Sequence, residues 1–453
     1  MKVLLISTYE LGRQPFGLAS PAAWLRRAGL EVAALDLAQA ALDEPLVRES
    51  GFIAFYLPMH TATRIALRAI ARVRTLNPGA HLCAYGLYAP MNEERLRAAG
   101  VGTILGGEFE AALVAAAQRV AAGNGKRQPE PLVSLARLDF LVPDRVGLPA
   151  LEGYARLALP DGSLRTAGYT EATRGCKHRC RHCPIVPVYD GVFRVVQREV
   201  VMEDIRRQVA AGAAHITFGD PDFFNGPAHA AELVRALHRE FPGVSYDVTI
   251  KVEHLLKHAD LLPLLRDTGC AFVTSAVEAV DDRVLAFLDK GHTRADFVRL
   301  AGVMRDAGLV LAPTFVAFTP WMTLAGYADL LRSIADLGFA EQVAPIQLAV
   351  RLLIPAGSRL LELAEVRALV GAFDPEALSF PWHNPDPRID DLQRRVQALV
   401  EEKTLLGESR TAIFHAVCRM VNRLADSETA PLPAVPPAPA RATIPYLTEP
   451  WYC

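Results

Sequence analysis

Residues 171–184 read EATRGCKHRCRHCP and place Cys176, Cys180 and Cys183 in one short segment. The whole 453-residue chain has seven cysteines, so three thiols at C-x3-C-x2-C spacing need a chemical explanation. Cysteine thiolates are the usual ligands of iron–sulfur clusters. Three ligands can hold three irons of a four-iron cube and leave the fourth iron open, and an open metal position is typical of a catalytic site. The segment therefore predicts a catalytic [4Fe-4S] cluster.

The residues around this segment alternate apolar strands with amphipathic helices. The pattern predicts helices such as 202–211, 228–240 and 293–307, and strands at 167–172, 215–218, 246–252, 272–277, 310–316 and 346–353. Six βα units in a row are typical of a partial (β/α)6 barrel, in which chemistry lies at the carboxyl ends of the strands. We assign this barrel to residues 166–357, with the three cysteines directly after its first strand.

The first part of the chain shows a similar alternation and predicts a separate domain at residues 1–122. Predicted helices lie at 16–28, 63–75, 93–99 and 108–121, and predicted strands at 3–7, 31–35, 52–57, 81–85 and 103–105. The fold class is thus α/β, beginning with a Rossmann-like or flavodoxin-like doubly wound sheet. Residues 123–165 predict a linker, 358–426 a helical region, and 427–453 a proline-rich tail that ends in Cys453.

Composition narrows the class of protein. Half of the residues are hydrophobic (51%), which is enough for a large core, and the net charge of -2 gives no basic surface for nucleic acid. Met1 leads into a short apolar run at 2–6 that predicts a buried strand rather than an export signal. Apolar runs are too short to span a membrane. We therefore expect a cytoplasmic protein without nucleic-acid or membrane partners.

The three-cysteine segment resembles the radical S-adenosylmethionine (radical SAM) superfamily. In that family the open iron binds the amino and carboxylate groups of S-adenosylmethionine (SAM), and electron transfer from the cluster yields a 5′-deoxyadenosyl radical. The resemblance implies an electron donor such as flavodoxin or ferredoxin. It also places His182, the residue before the third cysteine, near the adenine.

The resemblance suggests further SAM contacts at the ends of later strands. Gly219 and Asp220 match in part a Gly-Gly-Glu turn that meets the SAM amino group, whereas the alternative is a turn in which Asp220 caps a helix. Glu278 lies in a segment that resembles the ribose contact. Lys251 is a candidate partner for Glu278 or for the SAM carboxylate, and Arg351 is another carboxylate candidate. For Lys251 and Arg351 an ordinary ion pair at the barrel mouth is an equal alternative.

The domain order resembles the branch of the family with an N-terminal cobalamin-binding domain. Segments 59–63, 106–110, 290–293 and 318–321 resemble stretches found in that branch. The Asp-x-His-x-x-Gly motif that would supply an axial histidine is absent. Two hypotheses follow: the sheet binds cobalamin, with methyl transfer as the reaction, or it has lost cobalamin binding.

The tail resembles the approach to the Cys-Cys-Ala-Glu-Pro or Cys-selenocysteine-Ala-Glu-Pro endings of one small radical SAM family. That resemblance implies a selenoprotein tail that extends beyond Cys453, and it gives the Cys453 thiol a catalytic role. The substrate is then a small molecule or a peptide, with thiol-, selenol- or metalloid-linked chemistry as the alternative to cobalamin. An alternative of another class is a non-enzymatic Cys3His zinc protein that uses His178 or His182.

Overall fold

The N-terminal sheet has the doubly wound architecture that the sequence predicts. The computed structural model describes residues 1–123, 130–424 and 445–448. The first strands are β1 (Lys2–Ser7), β2 (Glu31–Asp36), β3 (Ser50–Tyr56), β4 (His81–Tyr85), β5 (Thr103–Gly107) and β6 (Val133–Ser134). They are ordered β2-β1-β3-β4-β5-β6, and all neighbouring strands are parallel. The order reverses at β1, so the carboxyl ends of β1 and β3 open a crevice where such sheets bind ligands.

Helices cover both faces of this sheet. They are α1 (Phe16–Arg27), α2 (Glu44–Glu49), α3 (His60–Leu76), α4 (Glu93–Ala98) and α5 (Glu110–Ala121). The side chains of α1 and α5 share one apolar core, and those of α2, α3 and α4 share the other. The sequence pattern does not predict the short helix α2. The Asp43 carboxylate caps this helix by accepting a hydrogen bond from the Leu46 amide.

The second sheet curls into a half barrel. It contains β7 (Arg156–Ala158), β8 (Leu164–Thr170), β11 (His215–Phe218), β12 (Ser245–Thr249), β13 (Cys270–Glu278), β14 (Leu311–Phe315) and β15 (Tyr446–Leu447). A separate two-stranded pair, β9 (Thr173–Gly175) and β10 (Phe193–Val195), flanks the cysteines. The order is β14-β13-β12-β11-β8-β7-β15. The run from β8 to β14 is parallel, whereas β7 and β15 join antiparallel.

Helices line the outside of the half barrel and extend beyond it. They are α6 (Val186–Tyr189), α7 (Arg198–Ala210), α8 (Pro227–Glu240), α9 (Val252–Lys257), α10 (Leu262–Asp267), α11 (Asp282–Leu288), α12 (Arg294–Asp306), α13 (Leu324–Asp336), α14 (Ala364–Leu369), α15 (Pro387–Leu405) and α16 (Arg410–Leu424). The apolar faces of α15 and α16 pack on the barrel core. Within the described ranges, no helix has the length and apolarity to span a membrane.

The predicted sixth strand at 346–353 is wrong as a regular strand. Pro345–Leu348 forms a 3-10 turn, and a single parallel bridge joins Phe318 to Arg351. The side chain of Gln347 accepts a hydrogen bond from the Phe315 amide at 3.0 Å. The Gln347 side chain thus accepts the hydrogen bond that β14, the edge strand, would otherwise donate to a sixth strand.

The segment predicted as a linker, 123–165, contributes to both sheets. Within it β6 extends the N-terminal sheet and β7 extends the half barrel. Arg145 donates to both carboxylate oxygens of Asp204 on α7 at 3.0 Å and to the side chain of Gln14 at 2.8 Å. The segment therefore joins the two domains through buried polar contacts. The proline-rich part of the tail and Cys453 lie outside the described residues.

A buried charge cluster also joins the two domains. The Arg174 guanidinium contacts carboxylates of Glu110 at 2.6 Å, Glu171 at 2.8 Å and Glu108 at 3.2 Å. Glu108 and Glu110 follow β5 and are fully buried, and Arg174 lies in β9, two residues before Cys176. Burial raises the pKa of Glu108 to about 7 and that of Glu171 to about 7, against the opposing charge of Arg174. One cation thus holds three buried acids across the domain boundary.

Replacing Arg174 with methionine tests this cluster. We expect Arg174→Met to lower the free energy of unfolding by about 3–5 kcal/mol, because removing one partner of a buried ion pair leaves uncompensated buried charge. Arg198→Met is the matched control, since Arg198 pairs with the exposed Glu199 and Glu232, and it should change stability little. Urea denaturation measures both, and equal losses in the two variants would contradict a bridging role for Arg174.

Candidate active site

The three cysteines lie on a loop whose first residues are held by hydrogen bonds to the half barrel. The loop leaves β9, and Arg174 of that strand pairs in register with Arg194 of β10. Asp220, after β11, accepts hydrogen bonds from the Ala172 amide at 3.0 Å and the Thr173 hydroxyl at 2.5 Å. Burial raises the pKa of Asp220 to about 6. The loop therefore starts at the carboxyl end of the sheet, as the sequence predicts.

Asn225 holds the loop from the next turn. Its side-chain oxygen accepts from the Lys177 amide at 3.3 Å and lies 3.8 Å from the Cys176 sulfur, while its amide group donates to the Gly175 carbonyl at 3.3 Å. Cys180 and Cys183 are linked by a tight turn in which the Cys183 amide donates to the Cys180 carbonyl. The backbone is thus ordered around all three thiols.

The thiols have the properties expected of cluster ligands. All three are free cysteines, and burial raises the pKa of Cys176 to about 11 and that of Cys183 to about 12. A metal that replaces the thiol proton would therefore supply the positive charge that these thiolates lack in the protein alone. Three soft donors in one loop fit an iron–sulfur cluster with one open iron. A cluster is the group that this donor set would hold.

The Nε2 atoms of both nearby histidines lie close to partners other than the thiols. His182 Nε2 lies 3.0 Å from a carboxylate oxygen of Glu278. His178 Nε2 lies 3.2 Å from His254 Nε2 and 3.5 Å from a carboxylate oxygen of Asp222. These partners disfavour the Cys3His zinc alternative.

A buried ionic group stands beside the loop. Glu278, at the end of β13, contacts His182 at 3.0 Å and the Lys290 ammonium at 3.3 Å. Burial alone would raise the pKa of Glu278, but the charges of Lys290 and His182 outweigh it and lower the pKa to about 2. Glu278 is therefore an anion whose position is fixed by two cationic or polar partners.

The backbone at Glu278 is strained. Its φ of 71° lies in the left-handed region, and the pairing of β13 with β14 shifts register between Ala276 and Glu278. A non-glycine residue in this region costs roughly 1–2 kcal/mol. Such strain is typical of functional sites, where the surrounding structure maintains an unfavourable conformation.

The structure places the other predicted SAM contacts in different surroundings. Lys251 pairs with Glu253 at 3.2 Å and contacts His178 Nδ1 at 3.2 Å, so the predicted pair with Glu278 is formed by Lys290 instead. Arg351 pairs with Asp390 at 2.7 Å, and its guanidinium lies over the Trp382 ring, so its partners come from the C-terminal region.

Gly219 and Asp220 support the loop. A Cβ atom at Gly219 would collide with the Tyr169 ring, which explains the glycine at that position. Both carboxylate oxygens of Asp220 already accept hydrogen bonds from the loop, and the helix-capping role belongs to Asp222, which accepts from the Phe224 amide. The alternative of Asp220 as a helix cap is therefore wrong.

Aromatic side chains from β3, from β4 and from the segment after β5 pack together at the carboxyl edge of the N-terminal sheet. The Tyr85 ring packs 5.4 Å from Tyr56 and 4.9 Å from Phe109, and its hydroxyl donates to the Gly17 carbonyl. Glycines at the end of β5 can leave room for a ligand, but Cβ atoms at 106 and 107 would collide with Pro90 and with the Ser134 carbonyl. A cavity between the domains, beside Arg174, holds only about 10 Å³, the space of one water molecule. The side chains at this edge are therefore closely packed.

A larger cavity lies elsewhere. It holds about 510 Å³ between β7, β15, α15 and α16, with Glu341, Arg410 and Tyr446 among its lining residues. These residues surround the amino-terminal end of the half barrel, opposite the cysteine loop. The cavity therefore has no part in the candidate site.

Sequence reasoning missed Arg174, Asn225 and Lys290 as site residues. Lys290 lies in a segment, 290–293, that the resemblance had singled out, but no sequence spacing shows that it pairs with Glu278. Arg174 is in the cysteine segment itself, but its partners Glu110 and Glu108 lie 64 and 66 residues earlier, and no sequence spacing shows that they meet.

Comparisons with known proteins agree with this geometry. Residues 170–319 match the model of the Radical SAM superfamily. Hopanoid C-3 methylase of Methylococcus capsulatus is 26% identical over 160 residues, which are 35% of this chain and 30% of that protein. The ribosomal protein uS12 methylthiotransferase RimO of Parabacteroides distasonis is 26% identical over 189 residues, 39% of this chain and 42% of that protein. The chain thus spans less than half the length of these curated relatives.

Two solved structures resemble the fold along most of the chain. The cobalamin-dependent S-adenosylmethionine radical enzyme OxsB, with aqua-cobalamin bound, gives a TM-score of 0.69 at 13% identity, covering 94% of this chain and 69% of that one. The radical S-adenosylmethionine methyltransferase TsrM from Kitasatospora setae, with cobalamin and a [4Fe-4S] cluster bound, gives a TM-score of 0.66 at 15% identity. The match covers 94% of this chain and 99% of that one. At this identity the likeness shows a shared fold, from the N-terminal sheet through the half barrel.

Cluster assembly should depend on each loop thiol. Alanine at Cys176, Cys180 or Cys183 removes one of three ligands, so we expect loss of the iron–sulfur absorbance and of most bound iron after anaerobic reconstitution. Cys83→Ala and Cys270→Ala are the controls, because these thiols lie in strands β4 and β13 and not in the cysteine loop. A full complement of iron and sulfide in Cys180→Ala would contradict the ligand assignment.

Proposed function

We propose that Cys176, Cys180 and Cys183 hold a [4Fe-4S] cluster at which SAM is reductively cleaved. The chain carries a radical SAM domain and is a radical SAM enzyme. When bound, this cofactor pair supplies a 5′-deoxyadenosyl radical that removes a hydrogen atom from a small-molecule or peptide substrate. The observation that supports the proposal is the three-thiol loop at the carboxyl end of the half barrel, next to the fixed Glu278 anion.

The chain's own residues would bind and orient SAM. Glu278 is ionised and can accept hydrogen bonds from the ribose hydroxyls, and His182 beside it is the residue expected near the adenine. Lys290 keeps Glu278 charged, and both are nearly inaccessible to solvent. Charge-assisted hydrogen bonds of this kind are stronger than neutral ones. The electron comes from a protein donor such as flavodoxin or ferredoxin.

Glu278→Gln tests the proposed ribose contact. Glutamine keeps the size but removes the charge, so we expect SAM affinity to fall about 10- to 100-fold, because a hydrogen bond to a charged group contributes about 1.5–3 kcal/mol. Iron content should be unchanged, since Glu278 is not a cluster ligand. Glu253→Gln is the control, a carboxylate on the same side of the barrel that pairs with Lys251. Equal SAM affinity in the two variants, measured by equilibrium dialysis, would remove Glu278 from the site.

The packing at the carboxyl edge of the N-terminal sheet supports radical chemistry without cobalamin. The Tyr56, Tyr85 and Phe109 rings pack against one another with centroids 4.9–6.2 Å apart. We therefore favour the hypothesis of a sheet that has lost cobalamin binding over cobalamin-dependent methyl transfer. The sheet then serves to hold the cysteine loop through Arg174.

Reconstitution distinguishes the two hypotheses. We expect the anaerobically reconstituted protein with SAM and reductant to form 5′-deoxyadenosine, and to retain no cobalamin after incubation with hydroxocobalamin and desalting. S-adenosylhomocysteine should not accumulate, because no methyl group passes to cobalamin. Retention of one cobalamin per chain would contradict the cobalamin-free hypothesis, and absence of 5′-deoxyadenosine would contradict the proposed SAM cleavage.

A role for the tail is a second candidate. Strand β15 is antiparallel to β7, and β7 is antiparallel to β8, so β15 runs parallel to β8 toward the edge that carries the cysteine loop. The Thr448 amide donates to the Arg156 carbonyl, and Arg156 pairs with Thr166, four residues before the end of β8. Residues 449–453 follow Thr448 in the sequence and lie outside the described residues. We propose that the Cys453 thiol acts at the edge that carries the cysteine loop, as a soft nucleophile or ligand.

Thiol labelling tests the tail proposal. Thr448→Pro removes the amide donor to Arg156 and the hydroxyl that accepts from the Arg156 amide at 2.9 Å. We expect iodoacetamide to modify Cys453 of the reconstituted protein several-fold faster in Thr448→Pro than in the unaltered chain. Thr448→Val, which keeps the amide, should give a smaller increase. Identical rates in all three proteins would contradict docking of the tail.

A further inference from the structure

A second cluster of metal-ligating side chains lies on the outer side of the cysteine loop. His178 comes from the loop, Asp222 from the turn after β11 and His254 from α9. His254 and Asp222 are each about 2% exposed, and the side chain of His178 is 15% exposed. Three different segments thus bring two imidazoles and one carboxylate together in a nearly dry environment.

The spacing of the donor atoms suits a small divalent metal ion. His178 Nε2 lies 3.2 Å from His254 Nε2 and 3.5 Å from Asp222 Oδ2. A tetrahedral ion with bonds of about 2.0–2.1 Å separates its ligand atoms by about 3.3 Å. One ligand atom from each of the three residues can be chosen so that all lie within 4.8 Å of one another. Small movements of the side chains would complete the site.

Hydrogen bonding within the protein leaves part of this cluster unsatisfied. Asp222 Oδ2 and His254 Nδ1 form a buried ion pair at 2.6 Å, and against the effect of burial the contacts with both histidines lower the pKa of Asp222. Yet neither atom has a partner aligned as a hydrogen bond among the described residues. The other oxygen of Asp222 is occupied, because it accepts from the Phe224 amide at 3.1 Å. Buried polar atoms without a partner are costly, which favours a ligand that is held by both residues.

From these contacts we propose that His178, Asp222 and His254 form a second metal site, separate from the three thiols and suited to Zn²⁺. Two imidazoles and a carboxylate are zinc ligands, and three protein ligands leave a fourth position for water or a substrate group. The site would fix the outer side of the cysteine loop to β11 and β12, because each ligand comes from a different segment.

The residues around His178 include a candidate acceptor for its second ring nitrogen, Nδ1. A metal at Nε2 requires the proton of His178 on Nδ1, which needs an acceptor. Glu253 Oε2 lies 3.8 Å from Nδ1, and Lys251, which lies 3.2 Å from Nδ1, already pairs with that carboxylate at 3.2 Å. On metal binding the ammonium would move from His178 toward Glu253. Without metal, a chain of hydrogen bonds from Lys251 through His178 to His254 is the competing arrangement.

The experiment counts zinc in the reconstituted protein with its cluster in place. After chelator treatment, addition of zinc chloride and desalting, elemental analysis should give one zinc per chain in addition to the cluster iron. Asp222→Asn and His254→Asn should each weaken zinc binding at least tenfold and leave iron content and SAM cleavage measurable. His258→Asn is the control, because His258 is the neighbouring histidine, 6.0 Å from the ring of His254.

Two results would overturn the proposal. The first is an unaltered protein that takes up no zinc beyond its iron, which would support the hydrogen-bonded chain instead. The second is zinc uptake that survives Asp222→Asn and His254→Asn but is lost in Cys180→Ala, which would assign the zinc to the thiols. The first result does not bear on SAM cleavage, whereas the second would also count against the cluster assignment. Formation of 5′-deoxyadenosine therefore distinguishes failure of the second metal site from failure of the proposed function.

Discussion

The arrangement of this protein depends on one buried guanidinium. Arg174 lies within hydrogen-bond distance of carboxylates from Glu108, Glu110 and Glu171, and it is two residues before Cys176. The rings of Phe16, Phe109 and Phe140 surround the same guanidinium at 4.8–5.7 Å. In this low-dielectric environment the buried charges stabilise one another, so the position of each domain is coupled to the position of the other. The cysteine loop is thereby fixed against the N-terminal sheet.

The site itself combines fixed charges with a strained backbone. Glu278 adopts a left-handed conformation and is held by His182 and Lys290, and the rest of the barrel maintains this geometry. The cluster loop is likewise held by Asp220 and Asn225 rather than by regular secondary structure. Preorganised polar groups of this kind act without reorganising when a ligand binds. We infer that both domains serve mainly to hold one edge of the half barrel in a single arrangement.

Much of this architecture is predictable from the sequence. The strand–helix alternation predicts both sheets, and the cysteine spacing predicts the loop at the carboxyl end of β8. The resemblance placed His182 and Glu278 in one site, and the structure brings them to 3.0 Å although 96 residues separate them. These features are encoded locally, in periodicity and in a compact motif.

Other features depend on tertiary contacts that a sequence pattern does not reveal. The pairing of Lys290 with Glu278, in place of Lys251, follows from where α11 returns the chain to the barrel. The predicted sixth strand does not form because the Gln347 side chain accepts the hydrogen bond of the Phe315 amide. The three acids around Arg174 and the His178, Asp222 and His254 cluster come from distant segments, so neither was foreseen.

The central claim is that the three thiols hold a cluster whose fourth iron is open to SAM, beside Glu278. Electron paramagnetic resonance of the reduced, reconstituted protein tests it most directly, because the signal of a four-iron cluster reports the ligands of its irons. The account predicts one cluster signal whose g-values shift when SAM is added, and a shift that needs more SAM in Glu278→Gln. A cluster signal that SAM leaves unchanged at any concentration would contradict the account.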